Sequence, residues 1–389
     1  MDLSPDQETA LSACLVSIKA NRETVLVGVA GSGKTTLMNA LIAQTTGRVV
    51  LACPTGKAAH RLAQVTGRTA VTIHRLLYRS VEEVGDELVF SEPHAPCLSG
   101  DLIVVDEASM VGSRIYRELM KYLPDGARVL WVGDSEQLEP VNDDWGPDLR
   151  NPTARLTEVH RQALGNPIIA YATAVRQGEG NEWLKTDWNP EDGHISVEAG
   201  AHPAMVWYLS ALDRGADVTL VTFTHKVRRA FNESVRANMK VDGKKLAPGD
   251  KILVKTNRQQ AGLMNGQVLT VKSLSRLSQR YRRDPVFRVL VREQEGAILV
   301  NTDLIEKQPR DFWNWYKALP DFRKDHRLVH IWYGNCLTVH SSQGSQWDEV
   351  GFLWDDSFKR MRTREKEGAR RFLYTAITRA AEKLAIFSI

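Results

Sequence analysis

Short runs of apolar, mostly β-branched residues recur along the chain. They are Val25–Val29, Val49–Cys53, Leu102–Val105, Arg128–Val132, Val218–Thr222 and Lys383–Ile389. Strands buried on both faces of a parallel sheet show such continuous runs rather than an apolar–polar alternation. The pattern therefore predicts an α/β chain built on parallel sheets, with a second half that begins near Leu156.

A different pattern occupies residues 231 to about 329, where short strands alternate with turn signals. Strands are predicted at 248–254, 266–271, 286–291 and 297–300, which is typical of a small barrel inserted into the second half. A β-hairpin is predicted between Tyr78 and Pro96, with Gly85-Asp86 at its turn. The aromatic cluster at 312–316 is interpreted as core packing, with a base-stacking platform as the alternative.

The run Val25–Val29 leads into Gly28-Val-Ala-Gly-Ser-Gly33-Lys34-Thr35, which matches the phosphate-binding loop pattern. Backbone N–H groups of such a loop, and the start of the next helix, cradle phosphates. Lys34 is placed to reach the β- and γ-phosphates, and the Thr35 hydroxyl to hold Mg²⁺. The alternative is a glycine-rich turn that binds nothing, but strand, motif and following helix agree on a nucleoside triphosphate. The predicted nucleotide-binding residues of this loop are Gly31, Ser32, Gly33, Lys34, Thr35 and Thr36.

Polar residues follow two further strands. Asp106 and Glu107 close the run Leu102–Val105, where an Asp holds Mg²⁺ and the adjoining Glu polarises the attacking water. A solvated surface pair of acids is the alternative. Because the pair closes an apolar strand downstream of a phosphate loop, a role in the nucleotide site is favoured. Gln137 lies where an amide senses the γ-phosphate. Gln7, in a predicted helix that starts at Ser4, is a candidate adenine reader, with a solvated helix glutamine as the alternative.

The composition narrows the class of protein. A chain of 389 residues predicts two or three domains, and its net charge of +4 permits a polyanionic partner without requiring one. The cysteines Cys14, Cys53, Cys97 and Cys336 have no paired spacing, which argues against a zinc site and a disulfide scaffold. The polar N-terminus does not resemble a signal peptide and no apolar run reaches the length of a membrane span, so a cytoplasmic, non-membrane protein is expected.

Eight motifs occur in one order along the chain: GVAGSGKTT, PTGKAA, TIHRLL, VVDEASM, VGDSEQLEPV, LTEVHRQ, TVHSSQGSQWD and YTAITRA. Together they resemble a superfamily 1B DNA helicase of the RecD/Dda-like type, with a size similar to the phage Dda type. The segment Asn166-Pro-Ile-Ile-Ala-Tyr-Ala-Thr-Ala-Val-Arg-Gln-Gly strengthens this narrower match. The resemblance covers nearly the whole chain.

The resemblance implies two RecA-like P-loop parallel-sheet motor domains in an α/β fold. The first would span 1–155, with a β-hairpin pin insertion at 78–98. The second would span 156–389, with a small SH3-like β-barrel insertion at 231–329. ATP and Mg²⁺ would bind between the two domains.

The resemblance also assigns roles to residues. Arg161 and Arg379 match arginines that reach the γ-phosphate from the second domain, as a planar guanidinium suits a transferring phosphoryl group. Gly344 would lie near the nucleotide, and Ser341 stands where relatives often have Lys. The hairpin residue Phe90 is either a wedge at the fork or a packing residue. The DNA-contacting residues implied are Pro54, Thr55, His74, Phe90, Thr224, Thr338, His340 and Ser342.

The function implied is ATP-dependent unwinding of duplex DNA by 5′-to-3′ movement on a single strand. Alternatives are a translocase that mainly displaces bound proteins and an RNA-directed helicase. A P-loop kinase or GTPase leaves the second, arginine-bearing half unexplained, and a DNA clamp without turnover does not need Lys34, Asp106 and Glu107. The expected partners are single-stranded and forked DNA, with single-stranded-DNA-binding or replication proteins as further candidates. A monomer in a bacterial or phage-infected cell is expected.

Overall fold

A computed structural model describes most of the chain. The described residues are 3–78, 81–84, 87–90, 101–140, 143–159, 166–178, 194–239, 241, 245–258, 262–277, 279–281 and 284–389, with no side chains for 81–84, 87–90 and 322. Within them, no helix is long and apolar enough to cross a bilayer. The described cysteines, Cys14, Cys53 and Cys336, are free and buried.

The first half is built on a six-stranded parallel sheet in the order β3-β2-β6-β7-β1-β8. Its apolar strands are buried between helices on both faces, as their continuous runs predict. The strands of this half are β1 Glu23–Gly28, β2 Val49–Cys53, β3 Ala70–Thr72, β4 Val81–Val84, β5 Glu87–Phe90, β6 Leu102–Val105, β7 Arg128–Gly133 and β8 Ala154–Leu156. The helices are α1 Pro5–Ala20, α2 Lys34–Gln44, α3 Gly56–Thr66, α4 Ile73–Leu77 and α5 Ser113–Tyr122, with a 3-10 turn at Ala108–Met110.

The second half contains a five-stranded parallel sheet in the order β17-β10-β18-β19-β9. Its strands are β9 Ile195–Ala199, β10 Val218–Thr222, β17 Cys336–Thr338, β18 Trp347–Trp354 and β19 Ala380–Ser388. The surrounding helices are α6 Pro167–Gln177, α7 Ala201–Asp213, α8 His225–Asn238, α10 Val339–Ser342, α11 Asp356–Arg364 and α12 Lys366–Ile377. The predicted α/β class with two parallel sheets is confirmed.

A third, mostly antiparallel sheet interrupts the second half. Its order is β15-β14-β13-β12-β11-β16. The two edge strands, β15 and β16, are separated in sequence by His330 alone, so the sheet must curl until its edges meet. The strands are β11 Lys251–Val254, β12 Val268–Arg276, β13 Val286–Val291, β14 Ala297–Asn301, β15 Leu328–Val329 and β16 Ile331–Tyr333. Helix α9, Pro309–Ala318, and 3-10 turns at Thr302–Leu304 and Asp321–Arg323 complete it.

The edges of this insertion differ from the range 231–329. Helix α8 crosses its predicted start, and Phe231 and Val235 pack against the second parallel sheet. Strand β16 lies beyond its predicted end and pairs with β11. In α9, Phe312 and Trp313 are buried, which agrees with core packing. The domain boundaries and the SH3-like character of the barrel stay predictions.

The hairpin predicted near residue 85 is present as the antiparallel pair β4 and β5. Val81 pairs with Phe90 and Val84 with Glu87, which leaves two residues for the turn. The backbone of β4 lies beside helix α9 of the third sheet. The hairpin therefore stands between the first half and the insertion of the second.

Candidate nucleotide site and nucleic-acid channel

The phosphate loop is shaped by its glycines. Gly31 and Gly33 have φ angles of 78° and 77°, which side-chain-bearing residues rarely adopt. A Cβ on Gly28 would lie 2.5 Å from Ser32 Oγ. Lys34 donates from Nζ to Gly28 O at 2.6 Å and to Val29 O at 3.1 Å, so its ammonium group sits inside the loop. The arrangement places the ammonium group of Lys34 within the glycine-rich turn that leads into α2.

The carboxylates at the end of β6 face this loop. Asp106 is half-buried, and desolvation together with the negative charge of Glu107 raises its pKa to about 6, although the positive charges of Lys34 and Arg61 oppose the rise. Glu107 donates its backbone N–H to Asp106 Oδ1 at 2.9 Å. Its φ of 56° is unusual for a residue with a side chain and costs about 1–3 kcal/mol. Such strain is typical of functional sites, where it fixes the direction of a side chain.

A loop after β7, Asp134–Glu139, is held by helix α12 from the other parallel sheet. Arg371 donates to Ser135 O at 2.8 Å, and the backbone N–H of Leu138 donates to the Thr375 hydroxyl at 3.1 Å. Between them, Gln137 is buried, and its Oε1 has no hydrogen-bond partner among the described residues. A buried amide oxygen of this kind is suited to a ligand or water, because orphaned buried acceptors are costly.

Tyr374 of α12 also reaches into the first half. Its hydroxyl donates to Asp134 Oδ2 at 2.7 Å and accepts the backbone N–H of Ala30 at 2.8 Å. Ala30 belongs to the phosphate loop. The helix thus contacts both sides of the site formed by the loop and the Gln137 segment.

Arg379 follows α12 and brings a buried cation to the same place. Its guanidinium donates to Thr375 O at 2.9 Å, Ser345 O at 3.1 Å and the Thr378 hydroxyl at 3.1 Å. Burial lowers its pKa, and the negative charge of Glu107 opposes that fall. Within the described part of the chain, no carboxylate forms an ion pair with Arg379. A buried arginine held only by neutral oxygens is well suited to an anionic ligand.

A channel of about 1800 Å³ crosses the carboxyl ends of both sheets and one side of the barrel. Among the described residues that line it there is no aspartate or glutamate. The cations on its wall are Lys57, Arg68, Arg75, Lys255, Arg258 and Lys317, and the histidines are His60, His74, His326 and His340. With a net charge of only +4 for the whole chain, this concentrates positive charge in one groove, which favours a polyanion.

Comparisons with known proteins agree with this arrangement. A family model described as "AAA domain" matches residues 2–199, and one described as "UvrD-like helicase C-terminal domain" matches 333–387. The ATP-dependent RecD2 DNA helicase of Deinococcus radiodurans is 31% identical over 399 residues, which cover 98% of this chain and 48% of the relative. The chain belongs to the RecD/Dda-like superfamily 1B helicases.

A second relative and a solved structure are also similar to the chain. The ATP-dependent DNA helicase dda of Enterobacteria phage T4 is 28% identical over 277 residues, which cover 65% of this chain and 61% of that protein. The chain therefore spans about half to two thirds of the length of these relatives. A crystal structure of Pif1 helicase from Bacteroides, in complex with ADP-AlF3 and ssDNA, matches with a TM-score of 0.55 at 18% identity, covering 99% of this chain and 92% of that one. This likeness concerns the fold.

The structure gathers the nucleotide-site residues predicted for a superfamily 1B chain at one place. The phosphate loop, Asp106, Glu107, Gln137 and Arg379 all lie there. Gln7 is buried beside the loop, with its Nε2 donating to Ser32 O at 3.4 Å while its Oε1 accepts from Ser4 N. Arg161 lies outside the described residues. Gly344 lies against Thr55 and Ala58 of the first half.

The predicted DNA-contacting residues divide into two groups. Pro54, Thr55, His74 and His340 line the channel, and burial lowers the pKa of both histidines, with the charge of Arg114 adding to the effect at His74. Thr224, Thr338 and Ser342 are not on its wall. The side chain of Phe90 lies outside the described residues.

Helix capping explains the second group. Thr224 and Thr338 each accept a backbone N–H of the helix that follows, and Ser342 donates inward to Val339 O at 2.7 Å. A hydroxyl at the end of a strand is as useful for a helix N-cap as for a phosphate.

Sequence reasoning missed Tyr374, Arg371 and Thr375 as contacts between the halves. Tyr374 and Thr375 belong to the YTAITRA motif, but the motif does not indicate which residues of the first half they contact. The signal available was the spacing of 371, 374 and 375, which places all three on one helix face. That pattern indicates a face, without saying what the face meets.

Proposed function

We propose that this chain hydrolyses ATP between its two parallel-sheet halves and uses the cycle to move along single-stranded DNA and unwind duplex DNA. The observation that carries the proposal is the meeting of the phosphate loop, Glu107 and Arg379 beside a basic channel that crosses both halves. Catalysis of phosphoryl transfer needs positioning and charge stabilisation, and these groups supply both.

Each residue has a role in this proposal. Lys34 neutralises the β- and γ-phosphates, and Glu107 orients the attacking water. Arg379 stabilises the negative charge that develops in the transition state. Gln137 offers its unpaired amide oxygen as an acceptor for a hydrogen of the attacking water beside the γ-phosphate. Arg161 is proposed as a second arginine at this position, on the family resemblance alone.

The donor set suits Mg²⁺. Thr35 and Asp106 would hold it, and it would supply positive charge against the phosphates. A magnesium site of this class uses one or two protein oxygens together with phosphate and water. Desolvation and the adjacent charge of Glu107 raise the pKa of Asp106, and a divalent cation held there would favour the ionised carboxylate.

The single strand lies in the channel, held mainly through its phosphates and therefore without sequence preference. Closure of the halves on ATP and reopening after hydrolysis would alternate the grip of each half. Opening one base-pair step costs about 1–2 kcal/mol, which ATP hydrolysis covers. The 78–98 hairpin, with Phe90, is the proposed wedge at the fork.

The relatives come from bacteria and a phage, which supports the expectation of a cytoplasmic setting in a bacterial or phage-infected cell. We propose a monomer, 5′-to-3′ movement, and contact with single-stranded-DNA-binding or replication proteins. These and the activity itself are proposals, because the chain covers only part of its relatives. A protein-displacing translocase and an RNA-directed helicase share the same site.

Unwinding of labelled forks tests the proposal. Matched DNA substrates carry only a 5′ tail, only a 3′ tail, or a tail of RNA, each with ATP and Mg²⁺. We expect strand separation from the 5′-tailed DNA. Separation from the 3′ tail alone would contradict the direction, and separation from the RNA tail alone would select the RNA alternative. Displacement of a protein block from single-stranded DNA without fork opening would select the translocase.

A further inference from the structure

The hydroxyl of Tyr374 joins three distant parts of the chain. It extends from α12 in the second half, donates to Asp134 at the end of β7 and accepts from Ala30 in the phosphate loop. Ala30 is the residue before Gly31, and Asp134 begins the loop that carries Gln137. One oxygen atom therefore links the phosphate loop, the Gln137 loop and the helix that leads to Arg379.

The surroundings of this link strengthen its hydrogen bonds. Tyr374 and Asp134 are each 1% exposed, so their hydrogen bond is shielded from water. Burial and the charge of Asp134 raise the pKa of Tyr374 well above its ordinary value, which keeps the phenol protonated and available as a donor. The Asp134 carboxylate also accepts the backbone N–H of Glu136 through Oδ1, which fixes its orientation.

The same helix has further contacts on either side of Tyr374. Arg370 pairs with Glu136 at 2.8 Å, and Thr375 accepts from Leu138 N. These contacts hold α12 to the Gln137 loop, but among the described contacts from α12 to this region only Tyr374 also reaches the phosphate loop. Arg379, two residues beyond the end of α12, donates to Thr375 O, so its position follows that of the helix.

We propose that Tyr374 is a positioning residue, which transmits the shape of the phosphate loop to Arg379 and Gln137. This inference rests on the proposed ATPase function. When the loop holds phosphates, the Ala30 N–H and the Tyr374 hydroxyl fix how far α12 stands from the loop. The alignment of Arg379 with the γ-phosphate then depends on one hydroxyl that reaches the phosphate loop from the second half.

Tyr374→Phe tests this, because it keeps the ring and removes only the oxygen. We expect kcat for DNA-stimulated ATP hydrolysis to fall about tenfold, the effect of one lost hydrogen bond to a charged group. KM for ATP should change less than kcat, and the loss of a buried hydrogen bond should lower the thermal midpoint about as much as Tyr208→Phe does. The matched control is Tyr208→Phe, which removes a buried hydroxyl bonded to Asn335 within the second half. The control should keep its kcat.

The outcomes separate the possible roles. A thermal midpoint well below that of Tyr208→Phe, with kcat and KM worsening together, would make Tyr374 a packing residue and overturn the inference. An unchanged kcat in Tyr374→Phe would overturn it as well. If the unmodified protein hydrolyses no ATP on single-stranded DNA, the proposed function fails and the inference falls with it. Stimulated hydrolysis in the unmodified protein with an unaffected Tyr374→Phe removes only the inference.

Discussion

An acidic pair follows one strand in each parallel sheet, Asp106-Glu107 after β6 and Asp355-Asp356 after β18. Both strands are third from the edge of their sheet, at β3 or β17, but the two pairs have different roles. In the first sheet β6 leads to Asp106 and Glu107, which face Lys34 and the phosphate loop. In the second sheet β18 leads to Asp355, which accepts the backbone N–H of Phe358 at 2.9 Å and the Thr224 hydroxyl at 3.0 Å. One carboxylate faces a predicted catalytic site, and the other caps a helix.

The difference comes from the neighbouring loops. The first sheet sends β1 into a glycine loop with Lys34, whereas Asp355 meets a helix N-terminus and a threonine. A strand end in an α/β sheet is a place where a site can form, but the residues around it determine the chemistry. The second half instead contributes Arg379, a cation, to the site of the first.

Removal of that cation should have the largest effect. We expect Arg379→Ala to reduce kcat for ATP hydrolysis by about 10³-fold, since arginines at this position are worth 10³–10⁵ in related chemistry. Arg379→Lys should retain only part of the kcat of the unmodified protein, because lysine keeps the positive charge but lacks the planar guanidinium. Steady-state hydrolysis measures both. Arg214→Ala is the control, because Arg214 is a half-exposed arginine of the same half that pairs with Glu349. A kcat for Arg379→Ala equal to that of the control would refute a site shared between the halves.

The two acidic pairs can be compared directly. Glu107→Gln should lower kcat by about 10²-fold, since it loses the group that orients water, while ATP binding persists. Asp355→Asn should keep its kcat and lose about 1 kcal/mol of stability, as expected for a weakened helix cap. Turnover and denaturation curves on both variants provide the test. Equal losses of turnover would mean that the two strand ends are not functionally different.

Acid should weaken the insertion of the second half. His330 is 1% exposed and stacks on Phe312, with their ring centroids 5.5 Å apart. Burial, together with the positive charge of Lys255, lowers the pKa of His330 to about 4. Its contribution to stability is complete above pH 6.5 and is lost as pH falls through about 4, because the buried ring must then accept a proton. The free energy of unfolding should fall by about 3 kcal/mol across that window. His330→Phe should remove this part of the pH dependence, and an unchanged profile in that variant would exclude His330 as its source.

The smallest effect is expected in the channel. His74→Ala or His340→Ala should weaken single-strand binding by about 1 kcal/mol each, through lost contact with the strand. Their pKa values are lowered, so both rings are neutral at pH 7 and the salt dependence of binding should not change. Lys317→Ala should instead remove about one phosphate contact. The slope of the logarithm of the binding constant against the logarithm of the salt concentration should then become shallower by about 1. Fluorescence anisotropy at several salt concentrations measures all three, and a changed slope for the histidine variants would contradict their neutral role.

Much of this architecture was predictable from local sequence. The phosphate loop, the buried parallel strands and the hairpin depend on residues close in the chain, so their patterns are visible. The contact of Tyr374 with Ala30 joins residues 344 positions apart, and no local pattern predicts it. For Thr338 and Ser342 the local pattern is visible but ambiguous. A hydroxyl near a strand end can contact a phosphate or a helix backbone equally well. The curling of the third sheet depends on β15 and β16 pairing at opposite edges, which only the three-dimensional fold determines.

The most direct test of the central claim is ATP hydrolysis by the unmodified chain and by Lys34→Ala, each with and without single-stranded DNA. We predict that DNA stimulates hydrolysis at least about tenfold in the unmodified chain, because the strand in the channel favours the closed arrangement of the halves. In Lys34→Ala we expect no hydrolysis above background, since the β- and γ-phosphates lose their cation. Hydrolysis indifferent to DNA would contradict the coupling of site and channel, and full activity in Lys34→Ala would contradict the site itself.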